Sequence, residues 1–388
     1  MKKTTILIAF ALVIGSVSIT FGQDSTHAPA VKGGIYDRPY LLRPSSRIAI
    51  GGYAEVMLRS EYKEGVHENI SFEARRFNIF FFSSIASSIK LTAELEFEHG
   101  TEEIKFETAL VDVDVLEQLT LRAGILLSPV GKFNISHDSP RNEFNDRPLV
   151  STRIIPSTLS EAGFGPLGSF YPFDGHRFTY ELYLVNGFTD GVILAGDGTS
   201  IPEGRPEFFE EDNNGNLAAT GRVAWIPDFG LELGASFHNG AYNTFVVDGL
   251  TVDERRTLTL LVLDGEYHIG DFSFQGEYAH ASIGVPPSLV GLYAQRQQGY
   301  YAQATFDLFH NVLPRFPQST VMIGMRYDMI DLDAEVHGDD TKRITIGTNL
   351  RLVPETVIKL DYQHNWIKDR IGNETRAAVI QCGLATYF

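Results

Sequence analysis

Apolar and polar residues alternate along most of this chain in runs that end at Gly, Asn, Asp or Pro. Residues 89 to 98 are the clearest run, with Ile89, Leu91, Ala93, Leu95 and Phe97 on one face and Lys90, Thr92, Glu94, Glu96 and Glu98 on the other. A period of two is the signature of a strand with one greasy and one wet face. Comparable runs fall near 47–61, 70–84, 103–115, 118–127, 176–186, 218–226, 230–239, 257–269, 271–281, 298–309, 319–330, 342–352, 355–366 and 376–388. The last carries Ala378, Ile380, Cys382, Leu384 and Phe388 on one face and Gln381 and Gly383 on the other, and stops on the aromatic, as the closing strand of an outer-membrane barrel does.

The pattern therefore predicts an all-β fold, a transmembrane antiparallel β-barrel spanning 47–388. Fifteen runs are visible, and single-chain bacterial barrels have even strand numbers. Sixteen strands are expected, with fourteen and eighteen open. Pro227–Gly230, Gly270-Asp271 and Pro354 are short enough for periplasmic turns, whereas 187–217, 240–256 and 282–297 have the length of outer loops. Trp225, Trp366, Tyr300, Tyr301, Tyr387, Phe388 and Phe80–Phe82 are expected in aromatic girdles.

Ahead of the barrel, Lys2 and Lys3 precede an apolar run from Ile6 to about Phe21, the pattern of a signal peptide over 1–22. Residues 23–46 hold three prolines without a clear period and read as a flexible periplasmic lead-in. Export to the outer membrane of a Gram-negative bacterium is expected, with outer-membrane lipid and the barrel-assembly machinery as partners. Tyr387 and Phe388 would be the assembly signal.

Residues 128–175 break the rhythm and hold Lys132, Arg141, Arg147, Arg153 and several prolines. So long a segment without a period is usually functional or disordered. Folded inward, it would put positive charge at the narrowest point of a pore; otherwise it would cap the barrel mouth or contain a missing strand pair.

Composition narrows the chemistry. The formal net charge of −17 argues against nucleic acid as a partner. The single cysteine, Cys382, leaves no internal disulfide. Gly163 to Gly168 spells a dinucleotide fingerprint, but Pro166 lies inside it and no β-α-β unit surrounds it. The acidic run from Glu210 reads as a solvated loop rather than a calcium site, and no cofactor or metal is expected. A lipid-modifying barrel needs only Ser, His and a polar third group, for which His99, His238, His268, His280 and His364 are available.

Alternation places Arg47, Arg59, Lys90, Lys105, Arg122, Arg177, Arg222, Arg326, Arg343, Arg351 and Lys359 opposite the apolar faces, toward the lumen. A charge facing lipid at midplane would cost about 2–4 kcal/mol. With Lys132, Arg141, Arg147 and Arg153, these are the candidate anion contacts; the alternative is that each pairs with neighbouring carboxylates and stiffens the wall. Arg75 and Arg76 are adjacent and should point to opposite faces unless a bulge intervenes.

Arg75-Arg76, the stretch Leu121–Phe133 (LRAGILLSPVGKF), the run Arg147–Gly168 (RPLVSTRIIPSTLSEAGFGPLG) and Tyr180–Gly187 (YELYLVNG) resemble the phosphate-selective porin O and P family. The resemblance extends over most of the chain and implies a sixteen-stranded homotrimeric porin whose basic pore passes small hydrophilic anions. The chain departs from that pattern in the carboxylates of its own strands, Glu94, Glu96, Glu98, Asp112 and Asp114. The expected function is passive diffusion of small hydrophilic solutes, anions such as phosphate among them, with a lipid-modifying barrel enzyme or a plugged structural or adhesive barrel as the competing readings.

Overall fold

A computed structural model describes residues 35, 37, 38, 47–101, 103–194, 198–206, 209 and 211–388. The signal-peptide reading of 1–22 and most of the lead-in lie outside the described residues.

Sixteen antiparallel strands close into one barrel. They are β1 (Ile48–Lys63), β2 (Val66–Ala86), β3 (Ile89–Glu98), β4 (Glu103–Leu116), β5 (Leu119–Leu127), β6 (Ser160–Phe173), β7 (His176–Val185), β8 (Ala218–Pro227) and β9 (Leu231–Ala241), then β12 (Thr257–Ile269), β13 (Phe272–Ile283), β14 (Arg296–His310), β15 (Thr320–Asp331), β16 (Asp340–Val353), β17 (Thr356–Lys368) and β18 (Glu374–Tyr387). A small hairpin, β10 (Val246–Val247) and β11 (Leu250–Thr251), decorates the loop between β9 and β12. Every barrel strand pairs with its sequence neighbour in the wall, and β1 pairs with β18 to close the seam, Tyr53 opposite Tyr387.

The strand hidden from the sequence pattern is β6. It lies inside 128–175, so that segment is not one long loop: 128–159 is irregular or briefly helical, and 160–173 is wall. Gly163, Gly165, Pro166, Gly168 and Pro172 erase its alternation, because glycines carry no side chain to mark a face.

Most short connections lie at one end of the barrel and the longest at the other; the two-residue turn Glu64-Gly65 and the nine-residue link 311–319 are exceptions. The connections after β2, β4, β6, β8, β12 and β16 are two or three residues long and lie at the end that holds the start of β1 and the end of β18. The long connections 128–159, 186–217, 242–256 and 284–295 emerge at the other end. Short turns mark the periplasmic side and long loops the outer side.

Outward side chains form an apolar belt; Leu261, Leu263, Met325, Ile346 and Leu360 are each at least half exposed. In water such a surface would be unstable, since exposed apolar patches of this extent are not found on soluble monomers. The aromatic expectation needs correction. Phe388, Tyr300 and Phe81 face outward, but their neighbours Tyr387, Tyr301 and Phe80 are buried on the inner face. A one-residue step along a strand changes faces, so only one of each adjacent pair can join a girdle. Trp225, together with Phe170, Phe178, Phe229, Phe272 and Phe306, forms ring contacts near the periplasmic turns.

Candidate functional site

The inner face is filled from two directions. Segment 128–159 enters from the outer end, carrying the single turns α1 (Lys132–Ile135) and α2 (Leu149–Arg153). Its apolar half packs Val130, Val150, Ile154, Ile155 and Leu159 against Leu258, Leu260, Val262, Ala279 and Ala281 of the wall, with Phe188, Val192 and Ile201 of the next outer loop above them. Burial of each large side chain contributes about 1.5–3 kcal/mol, so the segment is held as a folded piece. From the other side, Ile35 joins the apolar cluster of Leu110, Leu126, Leu127 and Ile135, and Arg38 is 1% exposed. Among the described residues of the lead-in, Ile35, Asp37 and Arg38 are held within the barrel.

The polar half of the segment is stitched to the wall. Asp146 accepts from Arg59 (3.1 Å), Arg75 (2.9 Å) and Gln381 (2.9 Å). Asp328 receives Arg326 (3.0 Å), Arg343 (3.1 Å) and the Leu149 amide (2.9 Å), while Arg343 and Arg326 also donate to the Arg147 carbonyl. Asp361 accepts from the Asn145 amide at 2.7 Å. Phe144 lies over Gly324 and Gly347, where a Cβ would come within 3.2 Å and 3.1 Å of its ring, and Arg326 stands 5.1 Å from the ring centre.

Arg75 and Arg76 both point inward, because a β-bulge between Glu55 and Val56 leaves Arg75 without a cross-strand partner residue. Arg75 reaches Asp146, and Arg76 reaches Glu98 at 2.7 Å and Glu55 at 3.2 Å.

Most of the other candidate cations also meet carboxylates. Lys90 pairs with Asp114 (2.8 Å), Lys105 with Glu98 (3.4 Å), Arg122 with Asp112 (2.9 Å), Arg222 with Glu232 (3.0 Å) and Asp264, and Arg351 with Glu143 (3.5 Å). Lys132 sits between Glu232 (2.8 Å) and Glu266 (2.5 Å). Arg141 donates to the Tyr387 hydroxyl at 3.1 Å and to the Asp37 carbonyl. Lys359 is capped by carbonyls, Ser139 at 2.7 Å and Phe144 at 3.4 Å.

Four candidates differ. Arg47 is exposed at the periplasmic rim and Arg177 is half-buried at the start of β7. Arg147 is buried, bonds the Ser157 carbonyl at 3.1 Å and leaves Nε and Nη2 without partners. Arg153 is exposed and makes no ion pair among the described residues. Sequence reasoning missed Arg38, Asp138 and Asp146. The two aspartates were visible inside a basic segment, but nothing near Arg38 signalled a lumen position.

Beneath the segment, a cavity of 380 Å³ opens among Arg141, Arg326, Arg351, Glu143, Asp146 and Glu266. Both signs of charge line it, which suits hydrated polar solutes better than one strongly preferred ion.

No protein-family model matches the chain. It is 27% identical over 367 residues to an uncharacterized protein of Aquifex aeolicus, covering 86% of this chain and 79% of that one. Among solved structures it is similar to an anion-selective porin from Comamonas acidovorans (13% identity, TM-score 0.56, 88% of this chain and 99% of that one). It is also similar to the outer membrane channel DcaP of Acinetobacter baumannii (9%, 0.56, 88% and 97%) and to the trimer form of OmpT, an outer membrane protein of Vibrio cholerae (12%, 0.55, 88% and 100%). These likenesses are in the fold. The closed sixteen-stranded wall and its outward apolar belt make this chain a β-barrel of the Gram-negative outer membrane.

Proposed function

We propose that the chain is a porin, a diffusion channel for small hydrophilic solutes whose narrowest region is set by segment 128–159. The observation that carries this reading is the ionic stitching of that segment across the lumen, from Asp146 on Arg59 and Arg75 to Lys132 on Glu232 and Glu266. Charged groups of both signs at a constriction tune which solutes pass. Pairing of most inward cations argues for weak ion preference, with Arg153 as the main exposed positive charge of the segment, rather than for strong phosphate selection. The fold likeness to a trimeric outer membrane protein supports a homotrimer.

Single-channel recording in a planar bilayer under a KCl gradient, with and without phosphate, tests the reading. Small steps with a modest reversal potential and no phosphate block are expected. A reversal potential near the chloride limit with block by phosphate would restore strong anion selection, and a silent barrel would favour a plugged structural role.

One observation favours an enzymatic reading. The Ser273 hydroxyl lies 2.7 Å from His268 Nδ1, and Glu266 meets the other ring nitrogen. A hydroxyl, an imidazole and a carboxylate in line can activate a nucleophile. Against it, Glu266 is already engaged by Lys132, and His268 and Ser273 are an ordinary cross-strand pair. Hydrolysis of a short-chain nitrophenyl ester, abolished by Ser273→Ala, would make this the primary function.

A further inference from the structure

Arg38 occupies a pocket lined by wall residues and by Asp138 of segment 128–159. Its Nε and Nη2 donate to the two carboxylate oxygens of Asp138 at 2.9 Å and 2.8 Å, and Nη2 also reaches Glu94 at 2.9 Å. The guanidinium carbon stands 3.5 Å over the centre of the Phe80 ring. Each acceptor is fixed by a separate wall residue. The Tyr387 hydroxyl donates to Asp138 at 2.8 Å, and Asn78 donates to Glu94 at 2.7 Å. Asp138, Glu94, Phe80 and Asn78 are 3% exposed or less.

These features are specific to one chemical group. A planar fork matches a carboxylate bidentately, a flat cation stacks on an aromatic face, and a second carboxylate takes the remaining edge. An ammonium can meet two carboxylates, as Lys132 does, but it has no planar fork to match Asp138 bidentately and no flat face to stack on Phe80. Two carboxylates beside a single guanidinium also give the pocket an excess of negative charge when that guanidinium leaves. The occupant belongs to a segment outside the wall, and its neighbour Asp37 is held by Arg141, which is only partly buried.

We propose that Asp138, Glu94 and Phe80 form a guanidinium-binding site of the lumen, that Arg38 is its resident occupant, and that free guanidinium-bearing solutes compete for it. That such a solute is cargo rests on the channel reading above; the binding site does not.

The test uses the full-length barrel in detergent, carrying Arg38→Ala, with ethylguanidinium and L-arginine as probes and ethylammonium as control. Thermal unfolding of the variant should fall below that of the native protein. About 10 mM ethylguanidinium should return at least half of the loss while leaving the native protein unmoved. Ethylammonium should return about tenfold less at equal concentration. Adding Glu94→Gln to Arg38→Ala should abolish the rescue. Equal effects of the two probes, or rescue that survives Glu94→Gln, would overturn the proposal. Where Arg38→Ala does not assemble, Arg38→Lys is read in the same way, since it keeps the charge and loses the fork. In bilayers, L-arginine should block current through the variant more than through the native protein. Rescue in detergent with no current from either protein would overturn the channel reading and leave the site standing.

Discussion

Arg75 Nη2 lies 2.9 Å from Asp146 Oδ1, an ion pair that runs from a bulge in the wall to the segment crossing the lumen. Asp146 also holds Arg59 and Gln381, so its loss would free one edge of the segment in a single step. Asp146→Asn is expected to raise single-channel conductance and shift the reversal potential toward anions, because Arg75 would lose its ion pair and Arg59 would keep only Glu61. Unchanged conductance and reversal potential would show that the passage does not run along this face.

Arg153 and Lys132 belong to the same segment yet predict opposite signatures. Arg153 is exposed and without an ion pair among the described residues, so Arg153→Ala should shift selectivity toward cations and leave thermal unfolding unchanged. Lys132 is buried between two glutamates, so Lys132→Met should lower stability by about 3–5 kcal/mol, the cost of leaving buried charge uncompensated. Paired bilayer and melting measurements on the two variants decide this.

Gly383 in β18 allows close approach, since a Cβ there would overlap the Asn145 side-chain oxygen. Gly383→Ala is expected to push Asn145 off Asp361 and to destabilise the barrel by about 1–3 kcal/mol, as overpacking does. Heat-dependent mobility on gels and single-channel conductance should both change. A variant indistinguishable from native in both would mean that the segment does not rest on β18.

Cys382 is exposed on the outward face, next to inward Gln381. In proteoliposomes it should resist a charged, membrane-impermeant maleimide and react with an apolar one, and both should label it once the protein is unfolded. Rapid labelling by the charged reagent in intact vesicles would put this face in water and break the assigned alternation.

The wall was legible in the sequence because a strand between lipid and a polar interior must alternate, and fifteen of the strands do so openly. β6 was not, since Gly163, Gly165 and Gly168 show neither face anything to read. The inward charges could be assigned by parity, but their partners could not. Asp146 meets Arg59 and Arg75 across more than seventy residues of chain, and Glu277 receives the Phe133 amide at 2.6 Å from a distant strand. Such pairings depend on where an irregular segment lands inside a closed wall, and no period encodes that. Arg38 was hidden for the same reason, and the bulge at Arg75 defeated the parity rule itself.

The seam gives the interior a second role. Tyr53 and Tyr387 become neighbours only when the ends of the wall meet, and pairing across so long a loop is slow compared with zipping a hairpin. Every other strand pair is joined directly by a turn or loop, but β1 and β18 share no connection. A slip of one residue would send Tyr387 toward lipid and Phe388 toward the lumen. Asp138 would lose its hydroxyl donor, and Arg141 would lose one of its acceptors and keep Asp37. The charged network inside therefore proofreads the closure of the wall around it.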